Sequence, residues 1–270
     1  MAVYPIRRAQ HRDPFHVRRE EVTDVPIDLR SVVRTPLRVP SPLQRYRSVP
    51  GRHTIHGDLI LTAGGGPGPD FNIAFVLGPM TPESVFALAD AFFDATGYAI
   101  VVESDTAQPI ENAIQSRGWQ LDEEEPALGL APIPAPPPSP TGLTIRPVTT
   151  DVEFADFMAV SGTGRRWIPS LAAALDPAVA LFVGYNGGEP VATSRLTCCG
   201  TVGDINGVVT LPTHRRRGFG AAMTWAAITE GARRGCVAMT LTATAMGYPV
   251  YLRMGFVPVC TYRTYVPLGL

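Results

Sequence analysis

The chain has 270 residues, 45% of them apolar and 17% charged, with a formal net charge of −1. That length allows one large or two modest domains, and the composition excludes a globally disordered chain. The near-neutral balance gives no overall case for nucleic acid as a partner, and no apolar run reaches the length that would cross a membrane.

Residues 1–52 form a compositional zone of their own, an Arg/Pro-rich N-terminal arm. They hold eleven Arg and five acidic residues, a net of +6 against −7 for the rest. Prolines at 5, 14, 26, 36, 40, 42 and 50 prevent long helices. Acidic residues interrupt the Arg clusters, so an extended segment packed along the surface is preferred to a basic arm that binds nucleic acid or an acidic partner. Arg7-Arg8 is not followed by an apolar stretch, so no secretory signal is expected.

Residues 53–131 read as a small α/β unit. Thr54–Thr62 alternates as a strand, and Gly64–Pro69 is a turn that lacks a Lys, Ser or Thr partner for phosphate. Asn72–Leu77 is a strand, and Thr81 caps a helix with Val85, Leu88, Ala89, Phe92 and Phe93 on one face, ended by Gly97. Tyr98–Val102 is a strand, Ile110–Arg117 a short helix, and Ala127–Ala131 a last strand. Residues 132–142, with six prolines, read as a semi-rigid extended linker between packed units.

Residues 143–270 form a second unit. Leu143–Pro147 is a strand and Asp151–Val160 a helix. A polar loop, Ser161–Arg166, leads to a short helix, Ile168–Leu175. Val179–Tyr185, Pro190–Cys198 and Thr201–Val209 are consecutive strands joined at Asn186-Gly187-Gly188 and Gly200. A loop opens the helix Ala221–Arg234, which Gly235 stops. Cys236–Thr242 is a buried strand, Pro249–Met254 a helical turn or two, and Val257–Val266 the closing strand. Cys198, Cys199, Cys236 and Cys260 have no metal-binding spacing, and no metal is expected. They read as buried free thiols of a reducing compartment, with adjacent Cys198 and Cys199 on opposite strand faces. The expectation is a soluble cytoplasmic protein.

The chemistry concentrates between Gly207 and Gly220, in the loop ahead of the long helix. Arg215, Arg216 and Arg217 stand where the first N–H groups of a helix have no internal partner. Those donors, the positive end of the helix dipole and the arginines suit a phosphate or pyrophosphate. Gly218 and Gly220 let the main chain approach closely. The spacing is Arg-x-x-Gly-x-Gly, which is neither the Walker nor the Rossmann pattern.

This loop resembles the acetyl-coenzyme A pyrophosphate loop of the GNAT (N-acetyltransferase) superfamily. The strand end Val209-Thr210-Leu211-Pro212 before it and the run from Tyr251 to Gly255-Phe256 after it resemble the family in the same order. The resemblance implies an α/β (α+β) GNAT fold, a mixed sheet flanked by helices, for residues 143–270. It implies, more weakly, a degenerate related copy in residues 53–131, so that only the C-terminal unit binds coenzyme.

By the same resemblance the main chain from Arg216 through Gly218, Phe219 and Gly220 to Ala221, together with the arginines, grips the pyrophosphate of acetyl-CoA. Val209 and Leu211 are the positions for backbone contacts to the pantetheine arm, an N–H near Thr210 faces the thioester oxygen, and Tyr251 is the general acid. The alternative, less favoured, is a core tyrosine at a helix end, with Tyr248 a neighbour able to compete. Asp204 is the carboxylate on the strand before the loop, but it reads better as a surface residue at a hairpin end, which leaves the base unassigned. His214 contacts phosphate or solvent. Arg165, Arg166 and Trp167 belong to the loop that would hold the acceptor, a small-molecule amine with an amino-acid-like carboxylate, or are surface residues. A homodimer is compatible with the family. Two other readings stand beside the acetyltransferase: a non-catalytic acyl-CoA-binding module, and an interaction module built on residues 1–52.

Overall fold

The computed structural model describes residues 26–47, 49, 51–66, 68–94, 97–104, 108–162 and 168–268. They form one eleven-stranded mixed sheet with helices on both faces. The expected strand Thr54–Thr62 is a hairpin, β1 (Arg52–His56) and β2 (Leu59–Ala63), because Gly57 takes a left-handed φ of 64° and turns the chain. β3 (Asn72–Val76), α2 (Pro82–Phe93), β4 (Ala99–Glu103) and α3 (Gln108–Ser116) follow as read, although α2 ends at left-handed Asp94 rather than at Gly97.

β5 (Trp119–Leu130) is twelve residues long, where only its apolar end was expected. The acidic run Asp122–Glu125 hides its first half from a hydrophobicity pattern. Those residues are strand because partners on the closing strand hold them, with Arg263 Nε donating to Glu124 Oε2 at 2.8 Å.

Beyond the Pro-rich segment come β6 (Thr144–Pro147), α4 (Asp151–Ser161) and α5 (Leu171–Ala174). α4 begins with a capping box between Thr150 and Glu153. Then follow β7 (Val179–Asn186), β8 (Glu189–Cys199), β9 (Val202–Thr210), α6 (Phe219–Arg233), β10 (Ala238–Thr242), α7 (Tyr248–Arg253) and β11 (Val257–Pro267). The strand–strand–strand–helix–strand–helix–strand order of β1 to β5 recurs from β7 to β11.

The sheet order is β1-β2-β3-β4-β11-β5-β10-β9-β8-β7-β6. Its parallel pairs are β3 with β4 and β9 with β10. The last strand of each half crosses over: β11 lies beside β4, and β5 lies beside β10. The sheet is therefore continuous across the two sequence units that the Pro-rich segment separates.

The N-terminal zone is not simply an extended surface segment. Residues 1–25 lie outside the described residues, but Leu29–Arg34 is a helix, α1, capped by Asp28, and Pro42–Tyr46 is a 3₁₀ turn. Val32 and Val33 are buried. Arg34 Nε donates to Glu103 Oε2 at 2.8 Å, Arg30 Nε donates to Glu103 Oε1 at 2.7 Å, and Arg34 also reaches the Leu77 carbonyl. Glu103 is fully buried. A buried carboxylate left unpaired typically costs about 3–5 kcal/mol, so these arginines hold α1 against the sheet rather than awaiting a partner.

Candidate active site

The site begins with a failure of pairing. β9 and β10 are joined only where Val202, Gly203 and Asp204 meet Ala238, Met239 and Thr240. β10 ends at Thr242, while β9 runs on to Thr210 bonded only to β8. The register of β8 on β9 shifts between Thr193 and Arg195, and Gly207 opposite has a left-handed φ of 59°. This bulge bends β9 away and opens a wedge.

Leu211 N donates to Val191 O of β8 at 2.9 Å. Peptide groups alternate along a strand, so Val209 also turns its main chain to β8, and Thr210 turns its own into the wedge. Thr210, rather than Val209 or Leu211, offers main-chain groups there. Its carbonyl accepts from Arg215 Nε at 3.1 Å.

At the outer end of the wedge, Pro212–His214 make a 3₁₀ turn, and Arg216 and Gly218 take left-handed φ of 64° and 80°. α6 then starts at Phe219 with Gly218 as N-cap and no side chain capping it. Its first helical bond runs from Ala222 N to Gly218 O, so the preceding amides lack helical partners. The corresponding helix of the other half, α2, is closed by Thr81 accepting from Ser84 N and carries Glu83 in its first turn.

Arg215, Arg216 and Arg217 are exposed. Arg217 stacks over Phe219, 4.8 Å from the ring centroid, and reaches Asn186 Oδ1 at 3.3 Å. Phe219 is buried and anchors the turn, Gly220 faces Thr210, and Ala221 lines a groove beneath Pro136–Pro140. His214 is within 3.0 Å of the Thr213 hydroxyl. These residues could hold a pyrophosphate.

Tyr251, on α7, lies on the same sheet face as α6. It is 8% exposed and packs edge-on to Phe256, with ring centroids 5.9 Å apart. Burial pushes its phenol above the ordinary value, and the neighbouring Thr224 hydroxyl pulls the other way. Thr224 donates to the Gly220 carbonyl at 3.0 Å, so the phenol stands beside the first turn of α6.

The opposite face of the wedge opens into a cavity of about 490 Å³ shared by both halves of the chain. Its apolar wall includes Ile73, Phe75, Phe157 and Ile168, and its polar groups include Asp70, Asp122, Glu123, Glu125, Arg195 and Asn206. Glu125 and Arg195 were missed on the sequence. Glu125 lies in an acidic run that no hydrophobic pattern marks as strand. Arg195 interrupts an otherwise buried stretch of β8, which was the one available signal.

Burial, and then Glu123, push Glu125 above the usual carboxylate range, while the Thr242 hydroxyl opposes them. Arg195 Nε is buried without a hydrogen-bond partner. Burial lowers its guanidinium, with the Asp204 charge opposing.

Asp204 is not a surface residue at a hairpin end. It lines a smaller adjoining cavity, where burial pushes its carboxyl up to about 6 despite Arg195 and the Asn206 amide, which donates to it at 2.7 Å. A carboxyl whose folded pKa is raised favours folding in acid. That contribution is fully present below about pH 4 and is lost as pH rises through about 6. Asp204→Asn should flatten the fall in urea midpoint across that window and raise the midpoint at pH 7. An unchanged pH profile would refute the burial assignment.

Arg165, Arg166 and Trp167 lie outside the described residues. Among the described residues, Cys198 Sγ is 3.7 Å from Cys236 Sγ, all four cysteines are free, no His, Cys, Asp and Glu side chains group as a metal site, and no helix is long and apolar enough to cross a membrane.

Residues 149–256 match the model of the acetyltransferase (GNAT) family. No curated protein matches the chain. The fold is similar to that of a GCN5-related N-acetyltransferase from Kribbella flavida, at 22% identity and a TM-score of 0.67, over 90% of this chain and 96% of that one. A GCN5-related N-acetyltransferase from Sphaerobacter thermophilus aligns at 14% identity and a TM-score of 0.55, over 78% and 81% of the two chains. A tandem GNAT protein from the clavulanic acid biosynthesis pathway aligns at 12% identity and a TM-score of 0.53, over 77% of each. At these identities the likeness is one of fold.

Proposed function

Since residues 149–256 form a domain of the GNAT acetyltransferase family, which supports acyl-CoA-dependent acetyl transfer in general, we propose that this chain moves the acetyl group of acetyl-CoA directly to the amine of a small molecule. The observation that carries the reading is the uncapped start of α6 set beside a wedge in which the main chain of Thr210 is turned away from β8. A pyrophosphate on the amides from Arg216 to Ala221 would have its charge met by the helix end and by the exposed arginines. From there the pantetheine arm would run into the wedge, and the Thr210 N–H would polarise the thioester carbonyl.

Tyr251, held protonated by its buried setting, would return a proton to the departing thiolate. The recurrence of element order supports reading the N-terminal half as a degenerate copy. Its helix α2 is already capped and carries an acidic first turn, so it offers no equivalent anion site.

The test mixes the protein with acetyl-CoA and a panel of primary amines and measures free thiol. Thiol release that needs both protein and amine, with an acetylated amine detected by mass, is the expected result. Coenzyme that binds without any amine-dependent release would move the protein to the class of acyl-CoA-binding modules.

A further inference from the structure

The cavity on the far side of the wedge is not electrically uniform. Its mouth carries Asp122 and Glu123, both exposed on β5. Deeper in, Glu125 follows two residues before Ala127, which pairs with Thr242 at the very end of β10. The Thr242 hydroxyl opposes the rise that burial gives the Glu125 carboxyl. This puts Glu125 at the lip where β9 and β10 separate, with Asn206 and Gly207 lining the same space.

Arg195 projects from β8, opposite Asn206. It forms no ion pair among the described residues, and its Nε is buried without a partner. Its neighbour Asp204 already accepts from Asn206. A buried guanidinium donor with no acceptor is an expensive arrangement unless a ligand completes it.

We propose that this cavity binds an acceptor that is both amine and carboxylate, an amino-acid-like molecule with an apolar body, whose carboxylate meets Arg195 and whose ammonium meets Glu125. The inference rests on the acetyltransferase reading and gives it an acceptor class and a base. Asp122 and Glu123 draw the cation to the mouth. The planar fork of Arg195 suits a carboxylate bidentately, and Ile73, Phe75 and Phe157 receive the apolar part.

Glu125 then takes one proton from the ammonium. The freed nitrogen lone pair attacks the thioester carbon, and the C–N bond forms as the C–S bond breaks. The thiolate takes a proton from Tyr251, and the nitrogen loses its remaining extra proton to solvent. The products are the N-acetylated acid and free coenzyme A. The two proton carriers lie on opposite faces of the sheet, so they reach the reaction only through the wedge.

The experiment uses the full chain and matched pairs: phenylalanine with phenethylamine, histidine with histamine, lysine with cadaverine, and 6-aminohexanoate with pentylamine. Thiol release gives kcat and KM for each, and thermal melting with and without acetyl-CoA is run on every variant. At least one carboxylated member should exceed its partner at least tenfold in kcat/KM. Arg195→Met should raise the KM of that acid about 10- to 100-fold, as expected for a lost charged hydrogen bond, and leave its decarboxylated partner nearly unchanged. Glu125→Gln should lower kcat on the order of 100-fold for both members.

In each variant the melting shift produced by acetyl-CoA should persist, which separates these effects from misfolding. Decarboxylated amines used as well as the acids, a preference that survives Arg195→Met, or no turnover of any pair by a chain that acetyl-CoA still stabilises would each overturn the proposal. Absence of any acetyl-CoA stabilisation in the wild type would instead sink the transferase reading beneath it.

Discussion

Gly220→Asp should abolish the stabilisation of this protein by acetyl-CoA while leaving the unliganded protein as stable as before, or slightly more so. Gly220 is the second residue of α6, and a Cβ there would sit 3.5 Å from Thr210 Oγ1, an ordinary contact. An acidic residue in a first helical turn interacts favourably with the dipole, by about 0.3–1 kcal/mol, and Asp also replaces a poor helix former. The same carboxylate occupies the amides that a pyrophosphate would need and repels it.

A ligand at a hundred times its dissociation constant stabilises by about 2.7 kcal/mol, so the wild type should show a clear melting shift and the variant none. The opposed signs separate a lost site from a damaged fold. A variant that melts as high as the wild type and still shifts with coenzyme would remove the α6 start from the binding site.

Tyr251→Phe should lower kcat on the order of 100-fold, about 2.7 kcal/mol of transition-state stabilisation, with the acetyl-CoA melting shift intact. The ring is buried against Phe256, so its packing survives the substitution and only the hydroxyl is lost. The phenol is held above its ordinary value of 10, so the wild type should keep its activity as pH rises well past neutrality. The variant should match the wild type in KM for the amine. Unchanged kcat would leave Tyr251 as a core residue and shift attention to Tyr248, which is only partly buried beside it.

Arg30 and Arg34 show that an arginine-rich stretch need not be waiting for a partner. Eleven arginines in 52 residues look like a surface waiting for an anion. Arg30 and Arg34 instead meet the buried carboxylate of Glu103, a residue about seventy positions away that no local pattern connects to them.

The Arg-x-x-Gly-x-Gly loop was legible because its properties are local. Left-handed Gly218, the apolar anchor Phe219 and the uncapped start of α6 all follow from neighbouring residues, and so do the caps of α2 and α4. The element order of the second half was legible for the same reason, since helical and strand periodicities are read over one or two turns of chain. The acceptor cavity was not legible. Glu125 belongs to a strand whose polar half is held by β11, which arrives from the far end of the sequence to lie between β4 and β5. Arg195 becomes a site residue only because β9 bulges at Gly207 and parts from β10. Sequence therefore determined the backbone conformation and the helix terminus on which the proposed anion site rests. Tertiary structure decided what faces it across the wedge, because strand exchange joins residues more than a hundred positions apart and the loss of parallel pairing follows from the bulge between β8 and β9.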